Sequence, residues 1–289
     1  MQAGLIVNAD DLGLDEPTTR GIVSAYQHGI VSSASLMVTM PAAAGAASLA
    51  RSANLPVGLH VDLTQGHAIS GARSARLADE TGMFRLRASQ LIRANRRDAA
   101  LIDQIKTEMR AQLARATDLG LTLTHVDSHQ HVHMNPAIFA VLEQEASAFG
   151  VRRIRFSREP ARNLFLGRGY IRTLTRNNLP KWAILRAHAL RMTPGLETPE
   201  LFFGILHSGS VVKRVLLDFL KIVPVQRSAE LCIHPGLPQQ SAAGVDSPFA
   251  AFSRSVFRQL EHDALVDPEV SALVRKRSVV LRSFDGRPK

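Results

Sequence analysis

The sequence predicts a mainly parallel α/β fold, and three observations point to it. Short apolar runs of strand length alternate with helical patterns along the chain. About seven such units follow one another, which favours a (β/α) barrel-like closure over an open doubly wound sheet. Finally, Asn8-Ala9-Asp10-Asp11, His60, His129 and His234 each stand at the C-terminal end of a separate apolar run. In parallel α/β folds those strand ends converge on one face, where sites are built.

The first strand is Leu5–Asn8. Asp15 before Glu16-Pro17 starts a helix whose apolar period through Ile22, Val23 and Tyr26 stops at Gly29. Ser33–Thr39 is the second strand, the Ala-rich stretch from Pro41 to about Ala53 a helix, and Val57–Val61 the third strand. From about Gln65 to Ser89 the pattern breaks into a long excursion. Between Asp98 and Leu119 apolar residues recur at Leu101, Ile105, Met109 and Leu113, a helical stripe ended by Gly120. Leu123–Asp127 is a strand, and Pro136 opens a helix through Phe139, Leu142 and Ala146 that Gly150 stops. Arg153–Phe156, Glu230–His234 and Val279–Phe284 complete the strands. No internal repeat is present, and the expected organisation is a single domain over 1–289 with a basic helical excursion at about 158–210.

A chain of 289 residues buries roughly three-quarters of its unfolded surface, ample for a large core. Met1 runs almost directly into Leu5-Ile6-Val7 without a basic region, which reads as a strand and not as a secretory signal. No apolar run approaches the ~18 residues that span a bilayer, and the single cysteine, Cys232, excludes an intramolecular disulfide and a thiolate zinc cluster. A cytoplasmic enzyme is expected. The net charge of +10 is local: eleven Lys or Arg and one acid, Glu159, lie between Arg152 and Arg191, and the rest of the chain holds 24 of each sign.

Chemistry concentrates at the strand ends. Two imidazoles and one carboxylate make a sound divalent-metal shell with positions left for water and substrate. A second carboxylate can then take a proton from water and a further His can protonate a leaving group, a division of labour that suits hydrolysis of an amide. The run His125-Val126-Asp127-Ser128-His129-Gln130-His131-Val132-His133 holds four of the eleven histidines. Read as a strand, it points His125, Asp127 and His129 to one side. Only one of them is needed as a ligand; the others can fix its tautomer or line a cleft. The competing reading is a solvated His-rich turn, just as adjacent Asp residues after a strand are often turn formers.

The residues Ile6-Val7-Asn8-Ala9-Asp10-Asp11-Leu12-Gly13, Val57-Gly58-Leu59-His60, Thr124 through His133, and Glu230-Leu231-Cys232-Ile233-His234-Pro235-Gly236 resemble the YdjC/ChbG-like carbohydrate deacetylases, including the hopanoid-associated HpnK branch. The resemblance implies a (β/α) barrel-like fold with a metal site at the C-terminal strand ends. It implies hydrolysis of N-acetyl groups on glucosamine-type sugars, borne by an oligosaccharide or a glycolipid. It places the metal on Asp11, His60 and His129, the general base on Asp10 and the general acid on His234. Arg155 falls where the family has an Arg near the site, and is expected to orient Asp10 or to serve as a structural ion pair. His125, Asp127 and His131 match as substrate-binding or supporting residues. One divalent ion is expected; two His and a carboxylate suit zinc best, while magnesium, manganese and cobalt remain admissible. A homodimer is compatible with the resemblance.

Arg168, Arg172 and Arg176 recur every four residues among apolar neighbours, which predicts a basic amphipathic helix. Such a helix fits either an ordinary solvated face or peripheral contact with an anionic membrane at the inner face. No nucleic-acid-binding pattern accompanies the charge, aromatics are 5% of residues, and no nucleotide-binding glycine motif is present. The alternatives to a deacetylase are a phosphoesterase-like metal hydrolase and, less favoured by these patterns, a basic nucleic-acid-binding protein.

Overall fold

The computed structural model describes residues 1–71, 76–167, 178–238 and 254–289. Six strands, β1 (Gly4–Leu12), β2 (Ser33–Leu36), β3 (Val57–Val61), β4 (Val126–Ser128), β5 (Leu201–Phe203) and β6 (Ser228–Ile233), form one sheet in the order β4-β3-β2-β1-β6-β5. Every neighbouring pair is parallel. Beyond β4, two single parallel bridges extend the ladder, Val126 with Ile154 and Arg153 with Glu197. Glu197 lies just before β5, which itself pairs with β6. The stretch from Glu197 to Phe203 therefore neighbours residue 153 at its start and β6 at its end, and the sheet curls into the barrel-like arrangement that the alternation predicts.

The helices cover the outside because each crossover between parallel strands must return across a face of the sheet. They are α1 (Glu16–His28), α2 (Ala43–Ser52), α3 (Ala88–Ile92), α4 (Ala99–Asp118), α5 (Pro136–Ala148), α6 (Asn178–Ala189), α7 (Lys213–Ile222), α8 (Val256–Val266) and α9 (Pro268–Lys276). Asp15, Asp98 and Asn135 cap α1, α4 and α5 by accepting from backbone N–H groups of their first turns, which satisfies donors that a helix start leaves open. β1 and β6 are buried along their whole length, and one apolar cluster runs from Leu5 to Val279.

The long excursion after β3 is fixed by one polar row on α4. Gln104 accepts from Leu77 N–H, and Glu108 accepts from Ile69 and Ser70 N–H. Gln112 exchanges two bonds with the backbone of Asp62. These residues are spaced by four, so they share one helix face.

Several boundaries differ from the sequence expectation. The fourth strand begins at Val126, not Leu123. Arg153–Phe156 and Val279–Phe284 contribute single bridges in place of strands, the latter through Leu281 beside Leu5. β5 had no distinct signal, being three residues within a segment that reads as an excursion. The stretch 158–210 thus supplies a strand of the sheet as well as α6. Arg168, Arg172 and Arg176 lie outside the described residues. Among the described residues no helix is long and apolar enough to cross a membrane.

Candidate active site

Consecutive residues of a regular strand point to opposite faces, yet Asp10 and Asp11 share one buried space. The β1–β2 register is irregular between Ala9 and Leu12, and Asp11 takes a left-handed φ of 66°. Such a conformation costs on the order of 1–3 kcal/mol and is kept where the surroundings enforce it. Its result is that His60 Nε2 lies 3.6 Å from Asp11 Oδ1 and 3.8 Å from Asp10 Oδ2.

His60 and Asp127 face each other across β3 and β4, being register partners. Nδ1 of His60 is 2.7 Å from Asp127 Oδ1, so the ring presents Nε2 towards Asp11. His129 begins the 3-10 turn after β4, with Nδ1 3.1 Å from Asp11 Oδ1. Gln130 and His131, which follow, have φ of 56° and 58°. Donor atoms of Asp11, His60 and His129 lie within 4.8 Å of one another, all buried. Asp11 Oδ1 faces both rings, 3.6 Å from His60 Nε2 and 3.1 Å from His129 Nδ1. A carboxylate oxygen so placed between two imidazoles is what a divalent cation would use, and the three residues fit one. Two further groups, Asp10–Cys232–His234 and Asp10–His60–Asp127, meet the same distance criterion.

Arg155 is fully buried and ties these groups together. Its Nη1 and Nη2 donate to Asp10 at 2.7 Å each, Nη1 lies 2.8 Å from Asp127 Oδ2, and Nε donates to Glu230 at 2.6 Å. Arg155 thus makes buried ion pairs with Asp10, Asp127 and Glu230. Burial alone would raise the Asp10 carboxyl, but Arg155 and His60 hold it well below the usual range. Burial opposes ionisation of Asp11 too, and Arg258, with His129, keeps it low. Burial would lower His60, yet the carboxylates of Asp127, Asp10 and Asp11 lift it to about 9. That excess of negative charge is suited to a cation.

His234 follows β6, and its backbone N–H donates to Glu261 of α8 at 2.6 Å. Burial pushes its imidazole down to about 4 against the pull of Asp11 and Asp10. His125 is buried, bonded to Ser35 and Thr124 and stacked on Phe284 at 3.7 Å. Burial lowers it to about 3. His131 bonds Ser157 and meets the edge of Phe202, forming wall and not joining the three donor groups.

Residues to which the sequence assigned no role complete the site. Arg258 Nη2 donates to Asp11 Oδ2 at 2.7 Å. Ser35 donates to Asp127, and the amide of Asn8 donates to both Asp10 and Ser35. Burial brings the ammonium of Lys181 on α6 down to about 8 against the pull of Asp10. Two grooves of about 440 and 310 Å³ meet at Ser89 and Gln130, the second reaching Arg93 and Lys181. Of these, only Asn8 carried a signal, by its place at a strand end.

Comparison with known proteins identifies the family and the fold. The family model described as "YdjC-like protein" matches residues 4–276. A carbohydrate deacetylase of Geobacillus stearothermophilus is 34% identical over 281 residues, 96% of each chain. A chitooligosaccharide deacetylase of Serratia marcescens is 41% identical over 291 residues, covering 98% of this chain and 99% of its own. The crystal structure of an Enterococcus faecalis V583 protein named for cellobiose-phosphate cleavage superposes with a TM-score of 0.72, covering 99% of this chain and 98% of that one at 21% identity, which establishes the shared fold. With a family match spanning nearly the whole chain and a barrel-like parallel sheet carrying the matching strand ends, this chain belongs to the YdjC-like protein family.

Proposed function

We propose that this chain is a carbohydrate deacetylase that hydrolyses the acetamide of an N-acetylated amino sugar. The observation that carries the reading is the convergence of Asp11, His60 and His129 donors beside Asp10 and His234 at the strand ends. The names of the relatives support the substrate class.

Asp11, His60 and His129 would hold one divalent cation, for which zinc is the best match to two imidazoles and a carboxylate. When bound, such an ion acidifies a water and polarises the acetamide carbonyl. Asp10 is the base. Arg155 keeps it ionised and points it into the site, so it accepts the proton as water attacks the carbonyl carbon. His234 is the donor to the amine that leaves. Because burial holds it neutral at rest, it must first gain a proton, and the one released from water by way of Asp10 is the nearest source. The two residues thus pass one proton of the water to the leaving nitrogen, and the products are the free amine and acetic acid, whose remaining proton goes to solvent as acetate forms. Arg155, Asp127 and His125 orient these groups through the bonds above, Gln130 and Lys181 line the grooves by which the sugar would enter, and His131 supports the wall behind them. The whole of 1–289 acts as one catalytic domain in this reading.

Acetate release from metal-stripped and reloaded enzyme tests it, with N,N′-diacetylchitobiose and a lipid-linked N-acetylglucosamine run in parallel. Release should require the ion and fall by about 10²–10⁴-fold in Asp10→Asn. Absence of release from both sugars by the reloaded enzyme overturns the reading. The preferred sugar, and pelleting with anionic but not neutral vesicles, would decide between a free glycan and a substrate met at a membrane.

A further inference from the structure

The proposed chemistry leaves one buried thiol unused. Cys232, the only cysteine, is fully buried on β6. Strand periodicity puts Glu230, Cys232 and His234 on one face, and that face is the active site: Glu230 holds Arg155, and the Cys232 thiol donates to Asp10 Oδ2 at 3.1 Å. Amide hydrolysis of the kind derived above has no step for sulfur. Yet donor atoms of Asp10, Cys232 and His234 lie within 4.8 Å of one another, sharing no residue with the Asp11–His60–His129 group.

We propose that Asp10, Cys232 and His234 form a second, inhibitory cation site, selective for thiophilic divalent ions of the zinc and cadmium type. A thiolate, an imidazole and a carboxylate form a softer set than two imidazoles and a carboxylate. Hard ions such as magnesium have no affinity for sulfur and leave the second set alone. An oxygen and a sulfur ~2.0 and ~2.3 Å from a tetrahedral centre stand about 3.5 Å apart, so the 3.1 Å between Sγ and Oδ2 need open by only a few tenths of an ångström to admit one ion. Arg155 and Asn8 already fix the Asp10 carboxylate, so one ligand is preset. Occupation engages the base and the proton donor together and so blocks turnover. This last consequence rests on the proposed roles of Asp10 and His234; the binding does not.

The coordination step is balanced without redox change. The S–H bond breaks, a sulfur–metal bond forms, and the proton leaves to solvent. The thiol hydrogen points at Asp10 Oδ2 in the free protein, and only the thiolate binds a metal, so uptake of the ion releases a proton and tightens as pH rises.

The test is a cadmium titration of enzyme whose first site is already filled with magnesium, followed by the ultraviolet thiolate-to-cadmium band, by proton release and by acetate release. The expected result is a thiolate band with proton release, and loss of activity in step with it. Cys232→Ser and Cys232→Ala, checked for native circular dichroism, should lose the band and need at least about tenfold more cadmium for the same fractional inhibition, each measured against its own uninhibited rate. Asp11→Asn should keep the band. No band in the wild-type enzyme overturns the site; a band without inhibition overturns its blocking role. Band and proton release remain readable even if neither sugar is deacetylated, so this inference and the deacetylase reading can fail separately.

Discussion

At the level of single side chains, Asp127 accepts at one oxygen from His60 Nδ1 and at the other from Ser35 and Arg155. The first bond fixes the His60 tautomer, leaving Nε2 free to serve as a ligand; the others keep the carboxylate from rotating. Asp127→Asn should therefore weaken divalent-cation affinity by about 10–100-fold, measured by calorimetry on the stripped protein. Unchanged affinity would mean that His60 is oriented by packing alone. Residues of this kind differ in how readable they are. Asp10, Asp11, His60, His129 and His234 announce themselves because each ends an apolar run. Arg258 and Lys181 do not, because each is one of 35 basic residues and lies on a helix whose spacing says nothing about the distant carboxylates it faces.

Elements meet here with little clearance. Gly58 on β3 lies directly against His125, and a Cβ added there would fall on the imidazole ring. Gly58→Ala must push His125 away from Ser35 and Phe284, and overpacking of this sort costs about 1–3 kcal/mol. Urea denaturation should register that loss as a lower midpoint with an unchanged slope; wild-type stability would show that the ring moves aside freely. β4 and the turn after it illustrate a second point. The histidine cluster reads as one motif in sequence, but its members go to three places: His129 to Asp11, His125 beneath Ser35, and His131 and His133 into the wall with Ser157 and Ser128. Two consecutive left-handed residues, Gln130 and His131, make that dispersal possible. Nothing in local propensity predicts them, since non-glycine residues seldom adopt that conformation.

For the molecule as a whole, one acid in the basic segment bears on stability. Glu159 is buried, accepts from the backbone N–H groups of Gly204, Ile205 and Leu206 and from Asn163, and joins the segment after β5 to the residues before α6. Burial raises it from 4.5 to about 7 despite those bonds. Its folded-state pKa is thus above its unfolded value, so the native state binds the proton more tightly. The corresponding stability is fully present below pH ~4.5 and is lost as pH rises through about 7. The swing is on the order of 3 kcal/mol. Glu159→Gln should flatten the pH dependence of the urea midpoint across that window; a slope identical to wild type would assign the dependence to other groups. The same residue shows why the basic segment is not simply a surface feature: Trp182 Nε1 and Arg186 donate to the Glu159 carbonyl, drawing α6 onto the barrel.

The sequence by itself determined the parallel α/β alternation, the capped helices α1, α4 and α5, and the strand ends where carboxylates and imidazoles gather. These are set by local periodicity, capping chemistry and the rule that parallel strand ends share a face. Only the tertiary structure decided that Asp10 and Asp11 turn to the same side, that Arg155 links three carboxylates, that Arg258 reaches Asp11 from α8, and that Cys232 rests on Asp10. It also decided that residues 197–203 lie between residue 153 and β6. Each of these depends on contacts between segments far apart in the chain, and on a backbone conformation held by those contacts against its own preference.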